Sequence, residues 1–205
     1  MEDDVRPYSD IVIWLAEKDK ELARAINSVV ELPQPSPSVD IYFYLLRSIV
    51  SQQLSVKVAA IIWQRFQDLF PGNYPKPDLV LNTPDEDLRS IGLSRQKLGY
   101  MKNVAQFAIE KGMTFELLNQ MEDKAIIAYL TQIKGVGKWT VQMVLMFPMD
   151  RPDVFPVDDL GIQVKMIKYY ALTEEKKELR KRMTELAEQW KPYRSIASKL
   201  LWRAE

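Results

Sequence analysis

Apolar residues along the chain recur every three to four positions, the period that gathers them on one face of a helix. Leu45, Leu46, Ile49 and Val50 make one such stripe, and Leu98, Met101, Val104, Ala105 and Ala108 make another. Start and stop signals agree with these stripes. Ser55 stands where an N-cap belongs for the helix through Val58, Ile62, Phe66 and Leu69, its oxygen able to accept a first-turn N–H. Thr83-Pro84-Asp85-Glu86 reads as N-cap, first-turn proline and first-turn acids. Ser94 is expected to cap the next helix and Gly112 to end it. No segment alternates with the strand period. The pattern predicts an all-α chain.

Two proline-rich breaks organise these helices. Leu32 to Ser38 (Leu-Pro-Gln-Pro-Ser-Pro-Ser) is an expected linker after an N-terminal helix, and a second break runs from Pro148 to Pro156. They predict one bilobal domain over residues 1–205. A central lobe would cover about 40–147, and a second lobe would combine about 1–39 with 148–205.

Composition narrows the chemistry. The 205 residues are 47% hydrophobic, enough for a real core, and 27% charged. There is no cysteine, which removes disulfides, thiolate zinc sites and cysteine-ligated iron–sulfur clusters. There is no histidine, so acid–base work falls to carboxylates, Lys or Tyr. The 28 basic residues balance 28 acidic ones, so nucleic-acid binding would need a local basic face. Acid gathers at Glu2, Asp3 and Asp4 and between Glu174 and Glu188, whereas Arg95, Lys97, Lys102, Lys134 and Lys138 sit mid-chain. No apolar run is long enough for a bilayer, and no signal-peptide pattern opens the chain. The expected location is cytoplasmic and nucleoid-associated, or nuclear in a eukaryote, with no membrane partner and a monomeric state.

The most informative stretch is Leu130-Thr-Gln-Ile-Lys-Gly-Val-Gly-Lys-Trp-Thr-Val-Gln-Met-Val-Leu145. One helix is expected to end near Thr131 and another to begin near Lys138. Between them, Gly135-Val136-Gly137 allows a tight turn with unobstructed N–H groups, and Val136 would tuck inward. The new helix start adds unpaired donors and the positive end of its dipole. Such a hairpin suits a DNA phosphate, although Gly-x-Gly alone also fits an ordinary turn between packed helices.

Further on, Phe155-Pro156-Val157-Asp158-Asp159-Leu160-Gly161-Ile162 follows the hairpin. Together the two segments resemble the helix-hairpin-helix DNA glycosylase superfamily, from about Tyr42 to the C-terminus. Its pattern is Leu-x-x-Ile-x-Gly-Val-Gly-x-x-Thr followed by a Pro-Val-Asp loop. The resemblance implies a base-flipping enzyme with Asp159 as catalytic carboxylate, leaving Asp158 to cap the following helix or order the loop. It implies phosphate contacts from Gly135, Val136, Gly137 and Lys138, and a monovalent cation, Na+ or K+, held by the carbonyls of Thr131, Ile133 and Val136. No cofactor is implied for the chemistry. Members that also cut the strand carry a Schiff-base lysine two residues after the second glycine; here that residue is Trp139. Lys138 is one residue early, about a quarter turn away on a helix. The resemblance therefore implies a glycosylase without lyase activity.

Trp139, the Trp190-Lys-Pro-Tyr-Arg-Ser195 segment and Trp202 are similar to the bacterial 3-methyladenine DNA glycosylase II group. By this resemblance the chain is expected to follow that group's shorter branch, without its N-terminal sheet domain. By this resemblance Trp139, Trp202, Met143 and Leu160 are candidates for the base pocket, where aromatic rings would stack on a cationic purine. Met143 and Leu160 replace residues that are aromatic in the best-known bacterial enzyme, which leaves the lesion range open. Tyr42, Phe43 and Tyr44 form a weaker pocket group with at least one member in the core. In Ser51-Gln52-Gln53-Leu54-Ser55, Gln53 and Leu54 are the candidates to fill the gap left by a flipped nucleotide. Arg95 and Lys97 are expected to touch the strand near the lesion.

The implied reaction needs little beyond one carboxylate. Breaking an N-glycosidic bond puts positive charge on the sugar, which a carboxylate beside C1′ stabilises. An alkylated purine is already a cationic leaving group, so no strong general acid is required. The expected function is excision of alkylated purines of the 3-methyladenine and 7-methylguanine type from double-stranded DNA. Two other readings fit the sequence: a non-catalytic hairpin module that binds DNA, and a glycosylase for another damaged purine.

Overall fold

In the computed structural model, which describes residues 7–33 and 40–205, every regular element is a helix and there is no strand among the described residues. Glu2, Asp3 and Asp4, and the linker beyond Pro33 up to Ser38, lie outside the described residues. The chain divides into two compact units, one of residues 40–149 and one of residues 7–33 with 150–205, as described. No helix among the described residues is long and apolar enough to cross a membrane.

The unit of residues 40–149 holds eight α-helices. They are α3 (Ile41–Ser51), α4 (Val56–Asp68), α5 (Pro77–Asn82), α6 (Asp85–Ser90), α7 (Arg95–Glu110), α8 (Phe115–Asn119), α9 (Asp123–Leu130) and α10 (Lys138–Met146). The stripe Leu45, Leu46, Ile49 and Val50 is fully buried on α3, as are Met101, Val104 and Ala105 on α7. These two helices pack together, α5 and α6 join them on α7, and α10 packs on α9 and α3. Ser55 Oγ accepts from Val58 N at 3.4 Å and Ser94 Oγ from Lys97 N at 3.2 Å, so both expected caps are in place. Gly112, at φ +76°, takes the left-handed position just past the end of α7. Thr83 departs from expectation. Its hydroxyl donates back to Leu79 O at 2.7 Å, closing α5, and Pro84 occupies the N-cap of α6. A proline N-cap supplies the extended backbone without a side-chain oxygen. Tyr42 and Phe43 are packing residues: Tyr42 OH donates to Pro75 O at 2.7 Å, and the Phe43 ring meets Trp63 edge-on at 4.8 Å.

The other unit holds α1 (Tyr8–Lys18), α2 (Lys20–Ile26), α11 (Leu160–Tyr170), α12 (Lys176–Ala187), a 3-10 turn at Glu188–Trp190, and α13 (Arg194–Arg203). α13 packs on α11, α2 and α1. Its core gathers Leu15, Leu22, Ile162, Met166, Met183, Leu200 and Leu201. Buried in the same unit is a polar residue, Asp19, only 5% exposed. Its Oδ1 accepts from Glu21 N and Leu22 N at 3.0 and 3.1 Å, which caps α2. Its Oδ2 accepts from Tyr170 OH at 2.6 Å, Gln189 Nε2 at 2.9 Å and Trp190 Nε1 at 2.8 Å. Burial, and then the bond to Asp19, holds Tyr170 well above the usual phenol range, so it remains a donor.

Asp19→Ala would strand the Tyr170 and Trp190 donors and remove the α2 cap. It is expected to lower the unfolding free energy by about 3 kcal/mol or more, and Asp19→Asn by less, since an amide oxygen still accepts. Urea denaturation of both variants checks this; an Asp19→Ala loss below about 1 kcal/mol, an ordinary single hydrogen bond, would deny Asp19 a central role.

Candidate functional site

In residues 40–149 the hairpin is built by a short chain of main-chain bonds. α9 ends at Leu130, Ile133 N donates to Leu130 O at 3.1 Å, and Val136 N donates to Ile133 O at 3.0 Å. Ile133 and Val136 are buried and anchor the turn from inside. Gly135 has φ +104°, and a Cβ there would lie 2.2 Å from Tyr100 Cγ. Tyr100 and Asn103 of α7 hold this turn, Asn103 Nδ2 donating to Lys134 O at 3.1 Å. Gly135 is therefore required by the fold. Gly137 is different: its φ is −92°, and a Cβ would meet nothing within 4 Å. It is the N-cap of α10 and brings no side chain to the first-turn N–H groups, so these donors are left to an outside acceptor. Lys134 and Lys138 flank the turn as exposed cations.

The carbonyl of Ile133 accepts the turn bond, whereas those of Thr131 and Val136 accept no main-chain hydrogen bond among the described residues. Each carbonyl has two lone pairs, so the trio retains acceptor capacity of the kind a monovalent cation takes. In the same unit, Trp139 is 41% exposed on the first turn of α10, and Met143 is buried one turn later. Gln53 and Leu54 lie on the turn after α3, Gln53 exposed at φ +56° and Leu54 37% exposed. Arg95 is exposed at the start of α7 and, with Gly99, Tyr100 and Lys134, lines an open cleft of about 420 Å³. Lys97 corrects the expectation of a strand contact. Its ammonium turns inward and donates to Val50 O at 2.8 Å and Gln52 O at 2.6 Å. Both acceptors are carbonyls at the end of α3, where a cation is favoured and the last C=O groups need partners.

In residues 150–205 the loop before α11 is pinned by the signature segment. Arg194 grips Asp153 through Nε at 2.7 Å and Nη2 at 2.9 Å. Ser195 N donates to Pro152 O, and Ser195 Oγ accepts from Val154 N, both at 2.9 Å. The loop then delivers Asp159 to the N-cap of α11. Its Oδ1 accepts from Ile162 N at 2.9 Å and from the Trp202 indole Nε1 at 2.8 Å, and the residue is 9% exposed. A Cβ on Gly161 would stand 3.1 Å from both Asp159 Oδ1 and Trp202 Cδ1, so glycine there lets indole and carboxylate meet. Of the two roles expected for Asp158, the cap falls to Asp159 instead, and Asp158 ties the loop to α12 by pairing with Arg180 at 2.6 Å. Leu160, on the first turn of α11, is 73% exposed.

Within this unit the structure thus brings Asp159 and Trp202 together. Sequence reasoning missed Gly161, Tyr100, Asn103 and the grip of Arg194 on Asp153. Arg194 and Gly161 did lie in segments the sequence singled out, whereas Tyr100 and Asn103 meet the hairpin across some thirty residues and leave no local pattern.

A glycine hairpin with open helix-start donors, in an all-helical chain that also presents a doubly held aspartate at a helix N-cap, defines a helix-hairpin-helix protein of the base-excision class. The chain belongs to that family: residues 46–192 match the HhH-GPD superfamily base excision DNA repair protein family. It is similar to a Schizosaccharomyces pombe structure described as 3-methyladenine DNA glycosylase (Mag1) in complex with abasic-DNA, with TM-score 0.84 and 29% identity over 94% of this chain and 95% of that one. A Bacillus halodurans structure described as DNA-3-methyladenine glycosidase has TM-score 0.81 and 31% identity, covering 97% and 88% of the two chains. Among curated relatives, DNA-3-methyladenine glycosylase 1 of Schizosaccharomyces pombe is 38% identical over 124 residues, 60% of this chain. The chain spans 54% of that relative's length, and 65% of the length of a Bacillus subtilis relative.

The two hairpin glycines should separate in a stability measurement. Gly135→Ala faces both a left-handed backbone and the Tyr100 ring, and should cost on the order of 3 kcal/mol. Gly137→Ala should stay within about 0.5 kcal/mol of the parent. Equal losses in urea melts would show that both glycines serve the fold.

Proposed function

We propose that the protein excises alkylated purines from double-stranded DNA as a monofunctional glycosylase, leaving an abasic site in an uncut strand. One observation carries this reading: Asp159 is fixed by two N–H donors on a single oxygen at the start of α11. A phosphate-binding hairpin alone has no need of a carboxylate held in this way. The names of the relatives, and the abasic DNA in complex with the Schizosaccharomyces pombe protein, support the same reading.

In the proposed reaction the C1′–N bond breaks and its electron pair leaves with the purine. A base that starts cationic departs neutral, so the leaving group needs no proton. The carboxylate of Asp159 stabilises the positive charge growing on the sugar. Water then adds its oxygen to C1′, and Asp159 takes up the released proton. Trp139 and Trp202 would favour electron-poor bases through stacking and cation–π attraction, about 0.5–2 kcal/mol for each contact. Met143 and Leu160 would shape the apolar part of the base site. The first-turn N–H groups of α10, Gly137 and Lys138 would hold a phosphate, and Arg95 another part of the strand. A monovalent cation on the carbonyls of Thr131, Ile133 and Val136 would add positive charge near that phosphate. The Schiff-base position is Trp139, and an indole has no amine to attack C1′.

Incubation with DNA carrying 7-methylguanine and 3-methyladenine should release free base while the strand stays intact until alkali is added. Borohydride should trap no covalent protein–DNA adduct. Asp159→Asn keeps an oxygen for Ile162 N and Trp202 Nε1 and remains a good N-cap. It should fold and bind DNA while losing about 10²-fold or more in excision; near-parental rates would remove Asp159 from the chemistry. Trp139→Ala should reduce excision of cationic bases more than that of neutral ones. Gly137→Ala should weaken binding to damaged and undamaged duplex alike, in titrations at one stated salt concentration.

A further inference from the structure

The turn after α3 has little of its own to hold it. Gln53 sits at φ +56°, a left-handed conformation disfavoured for any residue with a Cβ. The turn's main-chain bonds, Gln52 N to Ile49 O and Leu54 N to Ser51 O, are both long at 3.3 Å. Its side chains are half-buried or exposed from Gln52 to Val56, so packing contributes little. Yet Gln53 and Leu54 are the residues proposed to enter the base stack, where a wedge must withstand the tendency of the bases to close again.

The firm contact comes from 45 residues away. Lys97 Nζ reaches Gln52 O at 2.6 Å and Val50 O at 2.8 Å, bridging the last turn of α3 and the residue before Gln53. These are charge-assisted bonds, stronger than those between neutral groups. Lys97 is itself set by the start of α7, where Ser94 caps its own N–H. Burial also lowers the pKa of Lys97 from the ordinary lysine value, as expected for an ammonium directed into the protein.

We propose that Lys97 is a positioning residue for base flipping: from α7 it locks the Gln52–Leu54 turn in the shape that inserts into DNA, and it does not contact the strand itself. This rests on the reading of the chain as a base-flipping glycosylase with Gln53 and Leu54 as the wedge. Lys97 therefore acts on how completely the target base leaves the stack, not on how tightly the backbone is held. A lesion in a good pair, which costs most to unstack, depends on it most.

The experiment uses the full chain and duplex DNA with 2-aminopurine beside the target base, whose fluorescence rises on unstacking. Lys97→Met should give a smaller rise at saturating protein, Lys97→Gln an intermediate one, and Lys97→Arg, which can still donate to both carbonyls, a rise near that of the parent. In single-turnover excision, Lys97→Met should lose roughly tenfold on a well-paired lesion and much less on the same lesion opposite an abasic site. Its thermal melt identifies any general loss of folding, in which case Lys97→Gln and Lys97→Arg carry the comparison. The proposal is overturned by a Lys97→Met fluorescence rise equal to the parent's, by no rise with the parent, or by equal loss on both lesion contexts. It is also overturned if Lys97→Met lowers the slope of log affinity against log salt by about one, the mark of a lost phosphate contact. Absence of base release by the parent, with the fluorescence differences intact, would count against the glycosylase reading and leave the role of Lys97 in unstacking standing.

Discussion

A buried carboxylate must be satisfied or it opposes folding, and in residues 150–205 with 7–33 that requirement falls on Asp19. Five donors converge on it, two main-chain N–H groups of α2 and the side chains of Tyr170, Gln189 and Trp190. They come from the start of α2, the end of α11 and the 3-10 turn ahead of α13. Of these, α11 carries Asp159 at its start, and the turn leads into α13, which carries Trp202 near its end. Asp19 thus ties together the far end of the helix that Asp159 caps and the turn that precedes the helix bearing Trp202. This also gives a physical role to the Trp190–Ser195 segment. Trp190 bonds Asp19, while Arg194 and Ser195 hold the loop that leads into α11.

Asp159 serves fold and proposed chemistry with one side chain. As N-cap it satisfies Ile162 N, and the indole of Trp202 shares the same oxygen. Both donors hold Oδ1, so that oxygen is in place before substrate arrives. Such preorganisation is the main way a single charged group contributes to a reaction that develops charge. It suits a chain with no histidine, in which one carboxylate must both stabilise the sugar and receive a proton.

Much of this was legible in the sequence, and the limits have physical causes. Helical stripes, the Ser55 and Ser94 caps and the hairpin are local patterns, and each is present as read. The all-α family fold followed from them. The mistakes arose where the deciding contact is distant. Asp158 and Asp159 are both good caps by type, and it is Asp159 that takes the cap while Asp158 pairs with Arg180, 22 residues away. Lys97 looks like a phosphate ligand because it follows a turn, but its partners belong to a helix 45 residues earlier. Gly135 and Gly137 look alike until Tyr100 is placed against one of them.

That last contrast separates what the protein needs for itself from what it offers outward. Gly135 and Gly161 are explained from within, by Tyr100 in one case and by Asp159 and Trp202 in the other. Gly137 has no such internal reason, and Leu54 and Leu160 leave apolar surface in water at 37% and 73% exposure. Each is a small local cost that the fold alone does not recover. They are the residues proposed as phosphate seat, wedge and apolar base-site residue. An open phosphate seat serves a DNA-binding hairpin and an enzyme alike; it is Asp159, oriented by its own helix and by Trp202, that favours a catalytic protein.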